Sequence, residues 1–403
     1  MQFVLKSGSK MDDSFIPFHR PSIGSDEVAA VQRVLESKWL TTGPATHKFE
    51  KDFAEYIGAR HAVAVNSGTA ALQLAVDAID LRSGDEVLLP SFTFTATAEV
   101  LTHYGARPVL CDSIRGGFNL DPVDAERRIT SKTKAIIPVH IGGEPCDMDA
   151  IHAIAASRGL HVIEDAAHAL PASFHGQRVG TISELTAFSF YATKNITSGE
   201  GGMMVTYDEH YAEKARCMRL HGISGEAWKR YSREGSWYYE VAHAGFKLNL
   251  PDILSALGSA QLTQADRFFR RRSEIAARYC EGFATVEELE LPPLAGPGCQ
   301  HSWHLFILRL RRERFGLSRN EFIDELKSRG IGVAVHFMPL HLHPYYAKTY
   351  GYKRGDFPNA EGAFSRCLSL PIYPDLSDED VDRVIRTVAQ VVLAHRDRVT
   401  RVA

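Results

Sequence analysis

The sequence has only six cysteines in 403 residues, and Cys111, Cys146, Cys217, Cys280, Cys299 and Cys367 form no CxxC pair and stand beside no histidine cluster. A disulfide-stapled miniprotein is excluded, and free thiols in a reducing compartment are the expectation. Excess charge of one sign is absent too. Lys plus Arg number 46 against 49 Asp plus Glu, for a net charge of -3, and no five like charges run together. Recognition led by nucleic-acid phosphate or by an anionic membrane is therefore not expected. No apolar stretch approaches the roughly 18 residues of a membrane span, and the start, MQFVLKSGSKMDDSFIPF, lacks the apolar core and cleavage site of a secretory signal. The expectation is a soluble, cytoplasmic protein. Neither GxGxxG after a first strand nor GxxxxGK[ST] occurs, so dinucleotide and NTP binding lack their fingerprints.

What is present reads as globular. With 44% hydrophobic and 24% charged residues, the chain can bury a core of two or three domains at roughly 150 residues each. Pro17, Pro21 and Gly24 interrupt any period at the start, which predicts an extended arm over 1–24. In SDEVAAVQRVLES, the apolar Val28, Val31, Val34 and Leu35 fall at helical spacing behind a possible Ser25 cap. From about 60 to 210, short apolar runs (HAVAVNS, DEVLLPS, RPVLCDS, AIIPVHI, HVIEDAA, TAFSFYA, GGMMVTY) alternate with helical stretches, the pattern of an α/β domain with a largely parallel sheet. After a charged helical stretch near 260, SWHLFILRL reads as a strand. LSRNEFIDELKSRG reads as a helix with a capping box at Ser318 and Glu321 and a stop at Gly330. The last helix would bury Val381, Val384, Ile385, Val388 and Val392. A small α+β domain is thus expected to pack on the large one.

In open α/β sheets, chemistry collects where strands end. Three ends stand out. VAVNSGTAAL passes from strand to helix through Asn66, Ser67, Gly68 and Thr69; free N–H groups there could cradle a phosphate, or the joint could be an ordinary turn. HVIEDAAHAL ends in Asp165, with His168 three residues on; the carboxylate could meet a cationic ligand or cap the next segment. TAFSFYATKNITSGEGG carries Lys194 among apolar and hydroxyl residues. Most lysines are solvated, but a desolvated one is a Schiff-base nucleophile. Phosphate cradle, acid and enclosed lysine are together the parts that bind pyridoxal 5'-phosphate (PLP).

Around these residues the sequence closely resembles the DegT/DnrJ/EryC1/StrS sugar aminotransferases, fold type I PLP enzymes of the aspartate aminotransferase superfamily. The resemblance rests on WLTTGPATHKFE, NSGTAAL, PSFTFTATAEV, PVHIGGEPCDMD, VIEDAAHA, FSFYATKNITSGEGG, HGISGEAWKRY, GFKLNLPDILSALGSAQL and VHFMPLHLHPYY, and covers roughly residues 15 to 395. It implies a large domain, 25–258, with a mostly parallel seven-stranded sheet between helices, and a small C-terminal α+β domain, 259–403. It also implies that Lys194 carries the cofactor, that Asp165 pairs with its pyridine nitrogen and that Phe94 stacks on its ring. His168 would sit by the ring hydroxyl, and Gly68, Thr69 and Ser189 would hold the phosphate. Asn249 would reach that phosphate from a second subunit, making the active site a property of a homodimer.

The same resemblance implies an amino-acid donor, L-glutamate, and a nucleotide-sugar acceptor whose cleft is lined by the Leu40-Thr41-Thr42-Gly43 segment and the surroundings of His336. Some relatives replace the lysine by His and dehydrate; Lys194 argues for amine transfer. The insert from Ser224 to His243 resembles that of enzymes aminating C4 of a 4-keto-6-deoxy sugar, with an interface loop as the alternative. Amination at C3, a cyclitol ketone as acceptor and a non-catalytic PLP-fold regulator remain open. Glu144 departs from the family, where Gln is frequent, and Gly143 also varies. His341 and His343 have no third ligand near them in sequence, so no metal is expected.

Overall fold

The computed structural model describes residues 15–223, 238–293, 295–314 and 316–396. Its elements are, in order, α1 (Ser25–Ser37), α2 (Pro44–Ile57), β1 (His61–Val65), α3 (Gly68–Ala78), β2 (Glu86–Pro90), α4 (Ala96–Thr102), β3 (Arg107–Cys111), α5 (Pro122–Arg127), β4 (Thr133–Ile136), α6 (Met148–Arg158), β5 (His161–Asp165), β6 (Ser173–Phe174), β7 (Gln177–Arg178), β8 (Leu185–Ser189), β9 (Gly202–Thr206) and α7 (Glu209–Met218). They continue with α8 (Asp252–Thr263), α9 (Ala265–Phe283), β10 (Leu289–Glu290), β11 (Phe306–Leu310), α10 (Arg319–Ser328), α11 (Pro344–Tyr350), α12 (Pro358–Arg366), β12 (Cys367–Leu370) and α13 (Asp378–His395).

Every apolar run singled out between 60 and 210 is a strand, and together they make a seven-stranded sheet in the order β1-β9-β8-β5-β4-β2-β3. The strands are buried on both faces, as near-continuous Val, Ile, Leu and Ala runs require. Only β9 runs against its neighbours, so β1 and β8 are parallel and end at the same edge. One face packs on Leu72, Leu74, Val76 and Leu101 of α3 and α4. The other meets an aromatic cluster of Phe49, Phe53, Phe188 and Phe190, with ring centroids 5.2–6.1 Å apart. A second core, with Tyr279, Phe306, Phe322 and Val388, joins the antiparallel β10-β11-β12 sheet to α9, α10 and α13. Ser318 and Glu321 close the expected capping box, and Val381, Val384, Val388 and Val392 are fully buried.

Two local expectations fail. The cap of α1 is Gly24 rather than Ser25, and the buried face is Glu27, Ala30 and Val34, leaving Val28 and Leu35 61% and 53% exposed. Glu27 takes the interior position because its carboxylate accepts from Gly24 N–H and from Gln261 Nε2, both at 2.8 Å. Buried polar groups survive when they are bonded in this way. Further along, α8 runs unbroken past residue 258 to Thr263. No helix among the described residues is long and apolar enough to cross a membrane.

Candidate active site

The three strand ends converge. Ser67, after β1, caps α3 by accepting from Ala70 N–H at 3.0 Å. The first-turn N–H groups of Gly68 and Thr69 have no partner within the helix. Ser189, at the end of β8, lies against this turn: a Cβ on Gly68 would come within 2.8 Å of the Ser189 Cβ. Glycine is therefore needed for the close approach that joins the three residues into one edge, whose free N–H groups could take an anion.

Asp165 closes β5 and is 5% exposed. Burial pushes its carboxyl up; opposing this, Thr97 Oγ1 donates to Oδ2 at 2.8 Å and Ala167 N–H donates to Oδ1 at 3.2 Å, and Lys194 adds a positive charge. Behind it lies a fully buried pair, His140 Nε2 to Glu164 Oε2, at 2.9 Å. Cys146 N–H donates to His140 Nδ1 at 3.0 Å, so the ring proton sits on the nitrogen facing Glu164. Asp165 and Lys194 feel one another's charge without forming an ion pair.

Lys194 is half-buried. Burial lowers its pKa to about 8, against the upward pull of Asp165. His168 and His336 lie within reach of its charge, and burial first, then Lys194, holds His168 well below the usual imidazole range and His336 at about 4. His336 Nδ1 is hydrogen-bonded with Ser369 Oγ at 3.1 Å. The Phe337 ring stacks 5.7 Å from His168 and lies 5.9 Å from Phe94. Phe94 itself is 57% exposed.

Unspent N–H groups, a buried acid lacking a paired cation, and an aromatic ring open to solvent call for a planar ligand carrying phosphate and a ring cation. The residues present fit PLP. Lys194, Asp165, His168 and His336 share one electrostatic neighbourhood, with Phe94 at its aromatic border and Gly68, Thr69 and Ser189 at the shared strand edge. The remaining expected residues cluster beside the end of β1, where Asn249 bridges Val65. Thr42 Oγ1 donates to the Leu250 carbonyl at 2.6 Å and accepts from Asn249 Nδ2 at 2.7 Å, while Gly43 N–H donates to Asp252 at 2.7 Å. Thr41 is exposed. No hydrogen bond among the described residues ties this cluster to Lys194, Asp165 or His168. The insert expected from Ser224 to His243 lies outside the described residues up to 237.

Thr97, Asn195, His304 and Phe337 were not anticipated. A hydroxyl pair at i and i+4, Thr93 and Thr97, was visible in PSFTFTAT, but nothing local in SWHLFILRL distinguishes His304 from an ordinary strand-entry residue.

The model of the DegT/DnrJ/EryC1/StrS aminotransferase family matches residues 21–389. The spore coat polysaccharide biosynthesis protein SpsC of Bacillus subtilis is 49% identical over 379 residues, covering 94% of this chain and 97% of SpsC. A candidate sugar aminotransferase, Spr1654 of Streptococcus pneumoniae, superposes in its PMP form with a TM-score of 0.88 at 34% identity, covering 94% of this chain and 99% of that one; a PLP form also matches. DesV of S. venezuelae, in complex with a ketimine intermediate, superposes with a TM-score of 0.83 at 37% identity, covering 91% and 94%.

Proposed function

Because this chain belongs to the DegT/DnrJ/EryC1/StrS aminotransferase family, we propose that it moves an amino group from L-glutamate to a nucleotide-linked keto-sugar, most simply C4 of a 4-keto-6-deoxy sugar. It is a PLP-dependent sugar aminotransferase. The observation that carries the reading is the buried Asp165, held by Thr97 Oγ1 at 2.8 Å and within charge range of Lys194, whose pKa burial lowers to about 8.

PLP supplies an electron-withdrawing ring that can store an amino group between donor and acceptor. The protein's own groups do the rest. Asp165, ionised opposite a ring cation, keeps the proton on the facing nitrogen. Lys194 is partly neutral near pH 7 to 8, so its Nζ can accept a proton from the reacting carbon and return it. Gly68 and Thr69 N–H and the Ser189 hydroxyl hold phosphate, and Phe94 covers a ring face.

Asn249 serves the phosphate of a neighbouring subunit in this reading, so the working enzyme is a homodimer. Its bond to Thr42 then means that the 41–43 segment reaches the same neighbouring site. The division into arm, PLP domain and small domain, and a cytoplasmic location, belong to the same proposal. SpsC is named for polysaccharide biosynthesis, which supports an aminosugar product destined for a glycan. The test is turnover with glutamate and paired C4-keto and C3-keto nucleotide sugars and a cyclitol ketone. Preference for the C4-ketone is expected. Preference for either other ketone would reassign the acceptor, and no turnover with any would favour a non-catalytic regulator.

A further inference from the structure

The loop that enters β11 is bent sharply. Trp303 has φ +53°, a left-handed conformation that bulky residues rarely adopt and that persists only where the surroundings enforce it. Here they do. The buried Arg272 Nη1 donates to the Trp303, His304 and Ile372 carbonyls at 3.2, 3.3 and 2.8 Å, and Trp303 N–H donates to His301 Nδ1 at 2.8 Å. The bend delivers His304 to the interior of the lysine site.

There it meets the residue that follows Lys194. Asn195 Nδ2 donates to the Leu170 and Ser302 carbonyls at 2.6 and 3.0 Å. With both amide hydrogens used, Asn195 Oδ1 must accept from His304 Nδ1, 3.0 Å away. The proton of a neutral His304 is therefore on Nδ1. Its ring lies against that of His168, with centroids 4.4 Å apart and a 30° tilt. Gly142 N–H, which can only donate, points at His168 Nδ1 at 3.3 Å, so a neutral His168 carries its proton on Nε2. Ser302 Oγ donates to the His168 carbonyl at 2.6 Å, and Ser302 N–H to the Gly143 carbonyl at 2.9 Å. A Cβ on Gly143 would fall 1.9 Å from Ser302 Oγ, so only glycine permits this stitch.

We propose that His304 is a positioning residue of the aminotransferase reaction: stacked on His168 and bonded to Asn195, it fixes His168 as a neutral Nε2–H donor and holds the lysine loop in register with the small-domain strand. The assignment rests on the reading of Lys194 and His168 given above. An Nε2–H that never loses or gains a proton in the working range offers a constant hydrogen bond to an oxygen of the bound ring, where a protonating imidazole would not. The groups facing the pair agree. His168 meets the positive charge of Lys194 and the ring of His336, and His304 meets Lys194, Arg272, His168 and His336; all of these oppose a further cation, and no carboxylate is among them.

The test uses two variants and one measurement on cofactor-free protein. Nitrogen-15 histidine NMR of the wild type is expected to find His168 protonated on Nε2 and His304 on Nδ1, both unchanged from about pH 5.5 to about 8. H304A uncovers His168 and should lose about tenfold in kcat relative to wild type between about pH 8 and about pH 5.5, as an ordinary imidazole there takes up a proton. H304F keeps the covering ring and should follow the wild-type pH profile even if its overall rate is lower. The opposite tautomer on either histidine, or matching pH profiles for H304A and H304F, would overturn the proposal. Failure of borohydride to fix PLP on Lys194 in the wild type would instead overturn the functional reading beneath it, whatever the tautomers.

Discussion

The Thr97 hydroxyl donates to Asp165 Oδ2 at 2.8 Å, and Thr93, one turn earlier, lies 2.8 Å from the Thr97 oxygen. Since Thr97 spends its proton on the carboxylate, Thr93 donates to Thr97. The pair counters the burial that pushes Asp165 up. Thr97→Val keeps the shape and removes the bond, so the carboxyl should rise further and grip a ring cation less well. A hydrogen bond to a charged group contributes about 1.5–3 kcal/mol, so PLP should bind roughly ten- to a hundredfold more weakly. Fluorescence titration of cofactor-free protein checks this; an unchanged Kd would remove Thr97 from the account.

Lys194 predicts a pH dependence. Only the neutral amine attacks an aldehyde, and burial has brought its pKa to about 8. The rate of PLP capture by the cofactor-free protein should rise about tenfold per pH unit below that value and level off above it. Stopped-flow absorbance measures it, and a rate still climbing past pH 10 would mean an ordinary, solvated lysine.

Gly68→Ala tests the phosphate edge. The new methyl would press on Ser189 at 2.8 Å, so the turn must open by several tenths of an ångström. We expect PLP affinity to fall at least tenfold while thermal stability of the cofactor-free protein changes by less than about 1 kcal/mol. Equal losses in both would make the position structural.

Two carboxylates, the buried Glu50 and the half-buried Glu144, act oppositely on stability. Burial alone would raise Glu50, but Arg219, the His47 ring and the Ala64 N–H outweigh it and hold its pKa at about 2. A folded value below the unfolded one gives stability that is present above about pH 4.5 and lost as pH falls toward 2. Glu144 is the reverse: burial, only partly offset by Arg309, pushes it up to about 7. Its ionised form weakens the fold as pH rises from about 4.5 through 7. Glu50→Gln should therefore cost about 3 kcal/mol at pH 7. Glu144→Gln should gain about 2 kcal/mol at pH 8 and nothing at pH 4.5. Urea unfolding at the three pH values decides both.

Strands and their ends were legible because β-rich apolar runs bounded by turns are a local signal, and Asp165, Lys194 and Gly68 stand at those boundaries. The face of α1 was misread because a charged residue, Glu27, earns its interior place from Gln261, 234 positions away. His304 was invisible for a similar reason: its role comes from a stack across 136 residues and from Asn195, neither of which leaves a spacing in the sequence. The bonds of the Thr42 hydroxyl to Leu250 and Asn249 likewise span more than 200 positions and leave no local trace in the sequence.

The central claim is that Lys194, opposite Asp165, carries the cofactor. Borohydride reduction of the PLP-loaded protein followed by peptide mass mapping tests it most directly. The account predicts a pyridoxyl group on Lys194 in the wild type, protected when L-glutamate is added before the reductant. A label on another lysine, or no label on a protein that has bound PLP, would contradict it.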